Sequence, residues 1–213
     1  MKRLILLFAL LCSLVSAKAQ DMKSLYVAMP DSLSPLLTEV NRADFGDFLA
    51  SNMKAEVKNR FGKISEMKTM TDDYLYLKIS EVNSEEMKLL PLNDSVKIIC
   101  VVRTYMGPVA DSRVSFYDTD WKELPANRYL TLPGEDDFYK NVVNENQIDS
   151  LNNLRLKADM YLLKAELSEK DNSLTFTYTT PQYLDKPAAE EIEKYLIGKP
   201  IRYRWTNGRF IRL

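Results

Sequence analysis

The run Val96-Lys97-Ile98-Ile99-Cys100-Val101-Val102 places apolar side chains on both faces of an extended chain. Successive strand residues point to opposite faces, so such a segment is buried on both sides and belongs at the centre of a sheet. Period-two patterns surround it. In Tyr74-Leu75-Tyr76-Leu77-Lys78-Ile79, Leu75, Leu77 and Ile79 share one face and Tyr74, Tyr76 and Lys78 the other, which predicts a half-buried antiparallel strand. Met87–Pro91 reads as a short edge strand, because proline cannot donate to a ladder. Asn93-Asp94-Ser95 turns into the central strand, Val96–Tyr105; Gly107-Pro108 ends it, and Arg113–Tyr117 returns as the next strand of a β-meander.

The flanks read differently. Asp21–Pro30 is a short lead-in, and Ser34–Phe61 is predicted helical in two pieces. Ser34-Pro35 supplies an N-cap with proline at the first helical position. A second start at Asp44 precedes Phe45, Phe48, Leu49, Met53 and Val57 at helical spacing, and Gly62 closes it as a C-cap. Residues 126–154 form an acidic connection; within 111–153 nine acids face four bases. Strands are predicted again at Lys157–Leu167 and Ser173–Thr180, the second with Leu174, Phe176 and Tyr178 on one face and threonines on the other. A short helix, Ala188–Ile197, is capped by Asp185 and ended by Gly198. The chain finishes as a hairpin around Asn207-Gly208, the pair that tolerates positive φ at both central residues of a type I′ turn.

The beginning of the sequence is a targeting segment. Lys2 and Arg3 precede an apolar run from Leu4 to Val15, and Ala17-Lys18-Ala19 supplies small residues at a cleavage site. The run is shorter than the ~20 residues a bilayer span needs, so cleavage between Ala19 and Gln20 is expected, with lipidation at Cys12 as the alternative. Removing 19 of 213 residues leaves 194, takes away three of the 29 bases and none of the 30 acids, and gives a net charge of −4. That balance gives no reason to expect nucleic acid as a partner. Cys100 is then the remaining cysteine, so no internal disulfide can form, and its apolar strand marks it as a buried thiol.

Chemistry is narrowed further by the absence of histidine. Ser-His-Asp and Cys-His nucleophiles and HExxH zinc sites are excluded, and six dispersed glycines form no phosphate-cradling loop. No cofactor or metal is expected. Asp118-Thr119-Asp120 is a loop triplet with too few oxygens for a hard cation. The most pointed local feature is the C-terminal hairpin. There Arg202, Arg204, Arg209 and Arg212, with Tyr203 and Trp205, are the candidate binding residues for an anion or a partner. Pairing across Asn207-Gly208 sets Trp205 opposite Phe210 and Tyr203 opposite Arg212 on one face, and Arg204 opposite Ile211 and Thr206 opposite Arg209 on the other. The plain alternative is a packed aromatic face whose arginines stay solvated or pair with the acidic 111–153 stretch.

Met29–Phe48 (MPDSLSPLLTEVNRADFGDF), Met53–Gly62 (MKAEVKNRFG) and Thr71–Ser80 (TDDYLYLKIS) together resemble an uncharacterised domain-of-unknown-function family of exported Bacteroidales proteins. The resemblance extends over essentially the whole mature chain. It implies an exported protein of single-family architecture and carries no activity or catalytic residue with it.

These readings combine into an α+β domain over 20–213, with N-terminal helices packed on antiparallel sheet and a C-terminal β-hairpin. The alternative division is into two similar meander-containing lobes, 20–125 and 155–213, joined by the acidic region. The expected function is a non-enzymatic periplasmic or envelope-associated binding or accessory protein, not integral to the membrane, with an envelope protein or glycan as partner. The rival is a carboxylate-dependent hydrolase acting on glycan or peptidoglycan.

Overall fold

The computed structural model describes residues 21–141 and 144–213; the targeting segment, its cleavage site and Cys12 lie outside them. Seven consecutive strands form one antiparallel meander: β1 (Ala55–Lys58), β2 (Ile64–Met70), β3 (Tyr74–Lys78), β4 (Asn83–Pro91), β5 (Lys97–Met106), β6 (Ala110–Tyr117) and β7 (Glu123–Leu124). A second antiparallel sheet contains β8 (Leu163–Leu167), β9 (Ser173–Tyr178), β10 (Ile201–Thr206) and β11 (Arg209–Arg212), in the order β11-β10-β9-β8. Four α-helices complete the described fold: α1 (Met22–Ala28), α2 (Glu39–Ala50), α3 (Glu145–Ala158) and α4 (Lys186–Glu193).

The central strand explains the layering. Ile99 and Val101 of β5 are buried against α1 and α2, together with Met22, Leu25, Tyr26, Phe45, Leu75 and Leu77. Ile98, Cys100 and Val102 are buried on the opposite face with Leu174, Phe176, Trp205 and Phe210 of the small sheet. Helices α1 and α2, the large sheet and the small sheet are thus stacked in that order, while α3 and α4 add Leu151, Leu154 and Ile192 to the core on the small-sheet side. Two apolar cores share β5, which is why its sequence carries no polar face.

Several local expectations need correction. The lead-in is a helix: the Asp21 carboxylate accepts the Ser24 N–H at 2.7 Å, and Met22, Leu25 and Tyr26 bury one side of α1. The helix predicted over Ser34–Phe61 is shorter. Residues 30–37 form turns, and α2 starts at Glu39 behind a Thr38 cap that is reciprocated by Asn41. Ala55 and Val57 then alternate with Glu56 and Lys58 in β1, pairing with β2. Gly62, at φ +71°, belongs to the β1–β2 turn rather than a helix end. The Met87–Pro91 segment is not an edge: β4 is nine residues long and lies between β3 and β5, with Pro91 at its last position. Lys157 and Ala158 finish α3, so the strand predicted from Lys157 begins at Leu163. The second face of β3 is covered, because the small sheet lies over Tyr74.

The terminal hairpin has the predicted register: Tyr203 pairs with Arg212, Arg204 with Ile211, Trp205 with Phe210 and Thr206 with Arg209. Asn207 and Gly208 take φ of 50° and 77°.

Candidate functional site

Alternate turns of a meander emerge at the same end. Here Phe61 of the β1–β2 turn, Ile79 after β3 and the paired ends of β4 and β5 lie beside the 33–37 segment and enclose a cleft of about 430 Å³. Leu33, Pro35, Leu36, Leu37, Phe61, Ile79 and Tyr105 supply apolar walls; Ser34, Asn83, Ser84, Glu85 and Arg103 supply the polar lining.

Each wall is fixed by identifiable bonds. The buried Asn59 Oδ1 accepts the N–H groups of Phe61 and Lys63, at 3.0 and 3.1 Å. That holds the β1–β2 turn so that Phe61 stands 77% exposed at the mouth. The 33–37 segment is tied down from three sides. Arg60 N–H donates to the Leu36 carbonyl at 2.9 Å, Arg103 donates to the Leu33 carbonyl at 3.1 Å, and Arg42 donates to the Leu37 carbonyl at 2.8 Å. Arg42 is only 2% exposed. Its guanidinium also meets the Val27 carbonyl in the last turn of α1, the Met29 carbonyl just past it and the Asp31 carboxylate at 3.0 Å. A cation at that end satisfies carbonyls the helix leaves unpaired. Arg60 holds the other Asp31 oxygen at 2.6 Å, and the two arginines keep the Asp31 carboxyl below the usual range.

The floor is a buried ion pair. Glu85 and Arg103 are cross-strand partners on β4 and β5, with Arg103 Nε 2.5 Å from Glu85 Oε2. Burial pushes the Glu85 carboxyl upward and Arg103 opposes that push. Beneath lies Tyr26, whose buried hydroxyl has no hydrogen-bond partner among the described residues. Burial, and then the Glu85 charge, drive this phenol well above its ordinary range.

The adjacent Glu86 faces the other way. Its carboxylate accepts the Leu167 N–H at 2.8 Å and the Tyr74 hydroxyl at 3.3 Å, between the two sheets. Burial raises its pKa to about 7. The two neighbouring acids of β4 are therefore separated by the sheet and cannot work on one substrate from one cleft.

The sequence-predicted hairpin residues divide between faces. Tyr203 and Trp205 are buried in the inter-sheet core, where Trp205 stacks near Phe116 and Tyr129 and donates its indole N–H to the Pro91 carbonyl at 2.7 Å. Arg212 reaches Asp137 of the acidic stretch at 2.5 Å. Arg202, Arg204 and Arg209 are exposed, on the outer face of the small sheet or at its turn. Asp118 accepts the N–H groups of Asp120 and Lys122 as a turn residue. Among the described residues no group of three or more acids or cysteines is placed to hold a metal ion. Burial pushes the Cys100 thiol far above its ordinary range, which keeps it protonated.

Sequence reasoning missed the cleft. Its one local signal is Arg103 itself, a charge directly after the apolar run Ile98–Val102.

The architecture is a layered α+β fold with a helix–sheet cleft over the Glu85–Arg103 ion pair. The chain belongs to the DUF3256 family, described as a protein of unknown function, which it matches over residues 14–210. It is similar to a solved domain of an uncharacterized protein from Porphyromonas gingivalis W83, with 27% identity and a TM-score of 0.80, covering 90% of this chain and 98% of that one. No curated protein matches it. No helix among the described residues is long and apolar enough to cross a membrane.

Proposed function

We propose that this protein is an exported, non-enzymatic binding or accessory protein of the cell envelope, and that the cleft under the 33–37 segment is where it takes its ligand. The observation that carries this reading is the cleft's composition: apolar walls from four separate segments over one internally neutralised ion pair. Ligand sites are commonly concave, mostly apolar and furnished with a few fixed polar groups. The Lys2–Arg3 start, the apolar run and Ala17-Lys18-Ala19 support export with cleavage before Gln20. The hydrolase alternative calls for two carboxylates facing one substrate, whereas among the described residues Glu85 is the single carboxylate lining this cleft and is engaged by Arg103.

The test uses the chain from Gln20 and the apolar dye 1-anilinonaphthalene-8-sulfonate. Saturable one-site binding is expected, weakened at least tenfold by Asn83→Trp, which fills the cleft from a half-buried wall position. Binding that does not saturate, or that ignores Asn83→Trp in a folded variant, overturns the site. A hydrolytic activity on peptidoglycan abolished by Glu85→Gln would overturn the non-enzymatic reading. Amino-terminal sequencing of exported protein checks the cleavage site.

A further inference from the structure

The small sheet buries its aromatic face against the large sheet and leaves its other face uncovered, on the far side of the molecule from the cleft. The register fixes what that face presents. On β10, Arg202, Arg204 and Thr206 alternate with the buried Ile201, Tyr203 and Trp205. On β11, Arg209 stands opposite Thr206 and Ile211 opposite Arg204. Beyond them the Leu213 N–H donates to the Arg202 carbonyl at 2.9 Å, which continues the ladder and places Leu213 beside Arg202. Thr175 and Thr177 of β9 continue the face, followed by Glu166 and Lys164 of β8.

Two properties of this face are unusual together. Its side chains carry four cations against two acids: Glu166 is tied to Lys164 at 2.6 Å, and Asp171, which accepts the Ser173 hydroxyl on this face, stands near Arg202. The mature chain as a whole is acidic, so the positive charge is local. Beside the arginines, Ile211 and Leu213 are 45% and 64% exposed. An isolated exposed aliphatic needs no explanation, but here each stands across from a guanidinium on a flat surface.

We propose that the outer face of the four-stranded sheet docks on an anionic lipid bilayer, with Arg202, Arg204 and Arg209 on lipid phosphates and Ile211 and Leu213 entering the headgroup region. A bilayer surface accepts both chemistries at once: its phosphates pair with guanidiniums, and the boundary of its acyl region takes short apolar side chains. The Thr175, Thr177 and Thr206 hydroxyls add donors to phosphate oxygens. A soluble polyanion would satisfy the arginines and leave the aliphatics in water, so the pairing of the two favours a membrane. This inference does not rest on the reading of the cleft.

The experiment is co-sedimentation of the chain from Gln20 with vesicles. Both cores are built from residues after the targeting segment, and its apolar run would otherwise anchor the protein by itself. Binding is expected to vesicles of phosphatidylcholine mixed with phosphatidylglycerol, and not to phosphatidylcholine alone, at low ionic strength. Converting Arg202, Arg204 and Arg209 to Glu should weaken partitioning about 100-fold or more, at roughly one kcal/mol for each basic residue near the surface. Ile211→Asn with Leu213→Asn should weaken it about tenfold through lost apolar burial. The milder Arg202→Gln with Arg204→Gln, about 30-fold, tests the same point should the triple variant fail to fold. Equal binding to both vesicle types, or no loss in folded arginine variants, overturns the proposal. Arginine-dependent binding to dextran sulfate without vesicle binding also overturns it and assigns the face to a soluble polyanion.

Discussion

The carboxylate of Glu86, on the large sheet, accepts the backbone N–H of Leu167, on the edge strand of the small sheet, at 2.8 Å. It is one of three such bonds. The Ala165 N–H donates to Ser112 Oγ at 3.0 Å and the Leu163 N–H to Asp111 Oδ1 at 3.2 Å. Alternate amides of β8 point away from β9, and side chains of the large sheet receive them. An open sheet edge invites pairing with another chain. Here that edge is sealed within the molecule, and the same bonds fasten one sheet to the other.

Glu86 makes stability depend on pH. Burial raises its folded pKa to about 7 from 4.5, so between those values the folded state binds more protons than the unfolded state. Stability from this group therefore falls as pH rises from about 4.5 to about 7 and stays lower above that. Lys164 and Glu166 act on it in opposite senses, and Tyr74 donates to it. Relative to Glu86→Gln, the wild type should lose roughly 3 kcal/mol between pH 4.5 and 8. Urea unfolding of both proteins at the two pH values measures this; parallel shifts would remove Glu86 as the cause.

Tyr26 offers a gain. Its hydroxyl is buried without a partner, while its ring packs in the helix–sheet core. An unsatisfied buried polar group carries a desolvation cost, so Tyr26→Phe should stabilise by about 1 kcal/mol. A measured destabilisation would mean that the hydroxyl has a partner in solution.

Periodicity made much of this fold legible. β5 announces two buried faces, and the hairpin follows from Asn207-Gly208 because few other pairs accept positive φ twice. Four-residue β1 is different: Ala55-Glu56-Val57-Lys58 suits a helix as well as a strand, and pairing with β2 decides. Helix α1 is only seven residues long and depends on packing Met22, Leu25 and Tyr26. Such short helices draw their stability from tertiary burial rather than propensity. The cleft is assembled from residues as far apart as Leu33 and Tyr105, so no local pattern contains it. The arginines of the hairpin and their register were visible, but that Asp137 is the acid Arg212 meets depends on how the 135–138 turn packs against the hairpin.

At the hairpin turn, Gly208 is constrained twice. Its φ is +77°, and an added Cβ would lie 3.0 Å from Leu92 Cδ1. Gly208→Ala should therefore cost about 1–2 kcal/mol, the penalty of a left-handed conformation for an L side chain. Thermal unfolding checks it. Because Trp205 and Phe210 are paired beside this turn, near-ultraviolet circular dichroism should report the same change.

The Glu85–Arg103 pair yields the last prediction. Glu85 is withdrawn from water and Arg103 is part-buried beside it, so the carboxylate alone is a liability. Arg103→Leu leaves the Glu85 carboxylate buried without its 2.5 Å partner and releases the Leu33 carbonyl. Breaking a buried pair from one side costs about 3–5 kcal/mol. Adding Glu85→Leu removes the stranded charge, and two aliphatic residues on neighbouring strands can pack, so the double variant should recover most of that loss. The lost bond to Leu33 would remain, because no aliphatic side chain can replace a donor. Dye binding in the cleft should then stay weaker than wild type in the double variant even where stability returns, since Arg103 also positions the cleft's 33–37 wall. Denaturant unfolding and dye titration of all four combinations separate the two effects. Full recovery of both would show that the ion pair positions nothing, while no recovery of stability would mean that the pair is not the source of the loss.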